Sequence, residues 1–292
     1  MLKKAFYYLM PIIKVLLFAV FIYLCGIPFS LIYSFNLIPD STDPLLSTLI
    51  DQTVQVLIVF GGLLVVFRIF SNYSFESITL VRKSVWPAFV KGTLIGFATI
   101  LVCGGLAMIF GNVAFTIGKF SLFLFVGYFA LYILVAILEE VLFRTFPLIV
   151  LAERYRVFAA ILISSILFGL AHLANPGFTW LAMLNITLAG ILFSLYVLQK
   201  RNVYWAIGIH FGWNFAQGVL LGYKVSGTDA HGILSAKPIG NVYLSGGNFG
   251  IESSIYCTIV IMILIVYCLV KYKIEPVNEI VFEEEFEEIE TT

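Results

Sequence analysis

The chain has 292 residues, of which 61% are hydrophobic and only 12% charged, with a formal net charge of zero and a mean hydropathy of +1.03. Soluble domains carry roughly twice that charged fraction, so an ordinary water-soluble fold is excluded and lipid is the expected solvent. No basic face of the kind nucleic acid requires is present, which excludes that class of partner.

The predicted fold is all-α, a polytopic membrane protein with eight transmembrane helices, because a helix needs about 20 apolar residues to cross the hydrocarbon core. In chain order the predicted spans cover roughly 13–35, 47–70, 86–110, 121–146, 157–174, 178–198, 203–222 and 251–270. The first follows Lys3 and Lys4 and is uncharged from Val15 to Pro39. It is longer than a signal-peptide core and lacks a small-x-small cleavage site, so it is expected to be retained. Residues 1–120 thus hold three helices, 121–222 a core of four, 223–250 an outer loop rich in Gly, Ser and Asn, 251–273 the last helix, and 274–292 an acidic, disordered tail. The cysteines Cys25, Cys103, Cys257 and Cys268 lie in apolar runs without a C-x-x-C pair and are expected to be small buried hydrophobes.

The distribution of cations orients this set. With the amino terminus in the cytoplasm, Lys119, Lys224 and Lys237 alone of the 17 Lys and Arg residues fall outside. That bias predicts that both termini are cytoplasmic; the expected location is a bacterial plasma membrane.

Ionisable side chains inside a bilayer cost about 2.5–3.5 kcal/mol each on insertion scales, so each one asks for a reason. Glu139, Glu140 and Arg144 stand in LEEVLFRTF, late in the fourth span. At about 100° per residue, Glu140 and Arg144 share a helix face and are spaced for an ion pair, while Glu139 is turned towards other neighbours. His172 lies in FGLAH on the fifth span, one turn after Phe168. His210 and Asn214 lie four apart in HFGWN on the seventh, with Gln217 continuing their face and Gly208 and Gly212 flanking them. Those glycines would admit another helix or an extended substrate at close range. His231, in the outer loop, is expected to be incidental. Ser164, Ser165, Asn185 and Thr187 are expected to be structural.

The fourth and fifth spans form a hairpin whose turn, near Tyr155 and Arg156, is equidistant from Glu139 and His172, which puts those two at one height. His210 is only about 14 Å of helix from its own turn, against about 25 Å for the other two. The levels therefore match only if the hairpin projects into the cytoplasm or the seventh span starts deep.

These three motifs, E-E-x-x-x-R at Glu139–Arg144, F-x-x-x-H at Phe168–His172 and H-x-x-x-N at His210–Asn214, resemble those of the CPBP family. Its members are the CAAX prenyl endopeptidases and bacteriocin-processing enzymes, also called the Abi family. The resemblance covers 121–222 and implies an intramembrane endopeptidase, opening towards the cytoplasm, that acts on a membrane-associated peptide or protein, lipidated or of bacteriocin type. It further implies that Glu139 activates water with His172, that His210 and Asn214 stabilise the oxyanion, and that Glu140, Arg144 and Phe168 give structural support. Glu139, His172 and His210 also form a two-histidine, one-carboxylate set that could bind Zn2+ with an open fourth position. The absence of H-E-x-x-H favours activation of water without metal. Two other classes compete with the protease. One is a non-catalytic immunity or scaffold protein, and the other is a small transporter relaying protons through its carboxylates.

Overall fold

A computed structural model describes residues 2–35, 43–80, 84–119 and 121–274. Beyond Ile274 the expected acidic tail lies outside the described residues. Seventy-five per cent of the described residues are helical.

The long apolar runs become helices α1 (Leu2–Ser34), α2 (Pro44–Ile69), α4 (Val85–Ile109), α5 (Leu122–Arg144), α8 (Trp180–Lys200) and α11 (Ile255–Lys271). Short polar residues start several of them by taking up amide protons that have no partner within the helix. Asp43 accepts from the amides of Leu45 and Leu46 at 2.9 and 3.0 Å, with Pro44 at the first helical position. Thr179 caps α8, and Ser254 caps α11. Between α2 and α4 lies the short helix α3 (Phe75–Thr79).

Five helical stretches are long and apolar enough to cross a membrane: Tyr7–Ser34, Pro44–Ile69, Val85–Ile109, Leu122–Arg154 and Trp180–Lys200. The other predicted spans are shorter. Helix α7 (Val157–Leu170) has 14 residues, α11 has 17, and α9 (Tyr204–Phe215) has 12 before a π turn over Ala216–Leu220.

The fourth predicted span is broken. At Thr145 (φ −95°, ψ −109°) the backbone leaves helical geometry, and α6 (Phe146–Arg154) begins with a proline in its first turn. Pro147 has no N–H for the carbonyl of Phe143, one turn back. Ser164 of α7 donates to that carbonyl instead, at 2.8 Å. Because of this break, the straight 25 Å of helix expected between Glu139 and the turn is absent. Helix α6 buries every residue from Phe146 to Ala152.

The fold is not purely helical. Strand β1 (Val113–Ile117) pairs antiparallel with β2 (Leu234–Pro238), Val113 opposite Pro238 and Ile117 opposite Leu234. The glycine-rich stretch expected as plain loop therefore carries a strand and the short helix α10 (Val242–Ser245). Its turn at Ser226 (φ 47°) folds inwards, where the Asn175 side chain donates to the Ser226 carbonyl at 3.0 Å.

Side-chain contacts define two ends of the bundle. At one, Lys14 donates to the Tyr73 hydroxyl, which donates to Glu153, both at 2.7 Å. Burial and the neighbouring Glu153 push the Tyr73 phenol well above its ordinary pKa, so it stays a proton donor. The amide of Val203 donates to Thr79 at the same end, and Arg68, Arg154, Lys200 and Lys271 stand in the last turns of helices that finish there. At the other end Tyr33 donates to Asp51 at 2.8 Å, Tyr256 donates to Asn112 at 2.6 Å, and β1 meets β2.

Helices α4 and α9 run parallel at backbone contact. A Cβ on Gly96 would collide with the Ile209 carbonyl, and one on Gly212 with the Thr93 carbonyl; Gly92 and Gly208 meet the partner backbone in the same way. The glycines flanking His210 thus serve helix packing.

Candidate active site

Glu139 and Glu140 follow each other on α5, and their different directions give them different surroundings. Glu140 is wholly buried, and its Oε1 lies 3.4 Å from Arg144 Nη1, one turn on. The Arg144 guanidinium, also wholly buried, sits 3.9 Å from the ring centre of Phe168, with Phe143 and Phe193 at its sides. A delocalised planar cation gains from aromatic faces where water is excluded. Phe168 thus supports the cation while its carbonyl serves a histidine.

That histidine is His172. Helix α7 ends at Leu170, so His172 stands in the turn beyond it and not on the helix itself as expected. Its Nδ1–H donates to the Phe168 carbonyl at 2.8 Å. A carbonyl can only accept, so the proton sits on Nδ1 and the lone pair on Nε2. His210 is held alike: its Nδ1–H donates to Glu140 Oε1 at 2.9 Å, and Phe193 stacks on its ring at 5.5 Å between centres. Both Nε2 atoms face Glu139 Oε2, at 3.8 Å for His172 and 3.7 Å for His210. These distances exceed hydrogen-bond reach, so a small reactant can touch all three groups. Unlike Glu140, Glu139 keeps 23% of its side chain exposed.

Asn214, four residues after His210, lines the same space. A cavity of about 800 Å3 reaches Glu139, His172, His210 and Asn214 from between Pro44, Thr48 and Gln52 of α2, Tyr128 and Tyr132 of α5, and the segment 225–231. A side chamber of about 30 Å3 lies behind His172, His210 and Asn214, closed by Trp213, Ser226 and Glu252. That volume holds about one water.

The structure therefore brings together all four predicted catalytic residues and all three supporting ones. Sequence reasoning missed Glu252. It is 5% exposed, and its carboxylate accepts from Trp213 Nε1 at 3.1 Å and from the amide and hydroxyl of Ser226. Asn185 donates to the carbonyls of Glu252 and Ser254, both at 2.8 Å, and fixes this turn to α8. A lone glutamate beside serines at the edge of an apolar run looks interfacial, and only the inward fold of 223–250 buries it. His231, expected to be incidental, lies on the cavity rim against the Tyr128 ring.

The zinc alternative needs three donors converging on one point. Among the described residues no group of three or more His, Cys, Asp and Glu side chains is arranged to hold a metal ion. The orientation of both imidazoles, each with Nδ1 engaged and Nε2 directed inwards, serves a water as well as it would serve an ion.

A family model described as type II CAAX prenyl endopeptidase Rce1-like matches residues 120–216, the stretch that holds all three motifs. The resemblance seen in the motifs is to this same CAAX endopeptidase family. The match supports a CAAX-type protease in a membrane. No curated protein and no solved structure matches the chain.

Proposed function

We propose that this protein is an intramembrane endopeptidase hydrolysing a peptide bond of a membrane-associated peptide. In this reading all eight predicted segments cross a bacterial plasma membrane and both termini are cytoplasmic. The observation that carries the reading is the convergence of the Nε2 atoms of His172 and His210 on the one partly open carboxylate, Glu139, at the floor of a large cavity.

Glu139 takes a proton from a water that also hydrogen-bonds to His172 Nε2, and the water oxygen attacks the scissile carbonyl carbon. Asn214 faces the oxygen that becomes negative, and His210, its ring carrying a proton on both nitrogens, donates to that oxygen from Nε2 while Nδ1–H stays on Glu140; preorganised donors in a dry site are worth several kcal/mol. Collapse breaks the C–N bond, and the proton held by Glu139 passes to the departing amine. Glu140, Arg144 and Phe168 touch no substrate. They fix the rotamers and tautomers of the groups that do.

The test is cleavage of candidate peptides by the purified protein in liposomes. Wild type should cleave, and Glu139→Ala and His172→Ala, checked for insertion and folding, should lose at least about 100-fold in rate. Equal cleavage by all three would remove the proposal.

A further inference from the structure

The cavity has a direction, and that direction bears on the substrate. Its mouth is built from the start of α2, where Pro44 and Thr48 stand, the first half of α5, where Tyr128 and Tyr132 stand, and the exposed Thr228 and Asp229. All belong to the end of the bundle where β1 pairs with β2. None of its lining residues comes from α3, α6 or the far ends of α8 and α11, which make up the opposite end. The basic side chains gather at that opposite end, at Arg68, Arg154, Lys200 and Lys271.

Cations flanking spans stay in the cytoplasm, so the two observations point in opposite directions. The charge bias turns one end inwards, and the cavity opens at the other. The walls set the chemistry of what enters. Leu45, Leu131 and Val135 offer apolar surface with Tyr128 and Tyr132 between them, and polar groups occur mainly at the rim and the floor. Such a channel accepts an extended chain with aliphatic or aromatic side chains and offers no cluster of cations for an anionic head group.

We propose that the site is reached from the non-cytoplasmic face, and that its substrate is an apolar peptide segment arriving from outside the cell or already translocated. This rests on the protease reading for the cleavage but not for the direction of access. It also replaces the expectation, natural for an enzyme resembling CAAX endopeptidases, of a site open to the cytoplasm.

The experiment uses full-length protein in intact cells, in a Cys25→Ser background, with Thr228→Cys at the mouth and Lys273→Cys beyond the opposite end. A membrane-impermeant maleimide should label Thr228→Cys from outside and leave Lys273→Cys unlabelled until the cells are opened. The reverse pattern would overturn the proposal whatever the enzyme does. Cleavage is read separately, with a mixture of quenched fluorogenic peptides rich in Leu, Val and Phe supplied outside intact cells or inside inverted vesicles. Hydrolysis only from the outer side, lost in Glu139→Ala, is the expected result. Hydrolysis only from the cytoplasmic side would overturn the access direction and keep the protease. No hydrolysis from either side, with outside labelling of Thr228→Cys intact, would sink the protease reading and leave the outward opening standing.

Discussion

Glu139 and Glu140 differ in what loss of the carboxylate would do to each. Glu139→Gln removes the proton acceptor at the cavity floor but leaves the buried Glu140–Arg144 pair intact, so activity should vanish while the unfolding midpoint in detergent stays near wild type. Glu140→Ala leaves the Arg144 cation without its carboxylate and His210 Nδ1 without an acceptor. Removing one partner of a buried pair costs about 3–5 kcal/mol, and that loss should appear in the same unfolding measurement. Glu252→Gln is a subtler case. Its carboxylate accepts from Ser226 on one oxygen and from Trp213 on the other. Whichever way the amide is turned, its NH2 meets a donor, at a cost of about 1–3 kcal/mol. Both stability and turnover should fall, but turnover by less than in Glu139→Ala. The three motif pairs were legible residue by residue because each is expensive in lipid. Glu252 was not, since its neighbours in sequence say nothing of Ser226 and Trp213.

At the scale of elements, the site depends on one break and one close contact. The break at Thr145 was open to reading, because a Phe-Pro pair after a long apolar run marks a new helix start. The run of apolar residues across it argued for continuity, and the straight-helix estimate failed there. Ser164→Ala would leave the Phe143 carbonyl buried without a donor, and a loss of about 1–3 kcal/mol is expected in the unfolding midpoint. The close contact is that of α4 with α9. Gly212→Leu must push Thr93 away and carry His210 with it, so both insertion yield and activity should fall; overpacking of this kind costs about 1–3 kcal/mol or more. Gly111→Ala, where nothing lies within 4 Å of the added carbon, has no packing to disturb, and its positive φ of 73° is the only expense.

For the whole molecule, composition and cation bias indicated a membrane-embedded helical protein, and the helix positions follow the apolar runs closely. Composition could not indicate that α7 and α9 would be short, nor that 223–250 would turn inwards. Both follow from packing round the site, where α7 ends before the His172 turn and the inward-folded segment 223–250 carries Glu252, just beyond it, to Trp213. Metal dependence is also tested on the intact protein. Purified enzyme exhaustively treated with a strong chelator should keep its cleavage rate and contain no stoichiometric zinc. Loss of activity restored only by zinc would replace water activation by Glu139 alone.

The β1–β2 pairing also sets an order in time. Strand β1 is synthesised before α5, and β2 only after α9 has left the ribosome, so the ladder cannot close until most of the chain is made. Glu139 enters the membrane well before His210, and Glu252 follows later still. A partly made chain therefore carries the Glu139 carboxylate without the His210 imidazole and the Glu252 turn that complete its surroundings. In the protease reading, the complete site exists only once Glu252 has been made, late in translation, which spares the insertion machinery and its other clients from an unfinished protease.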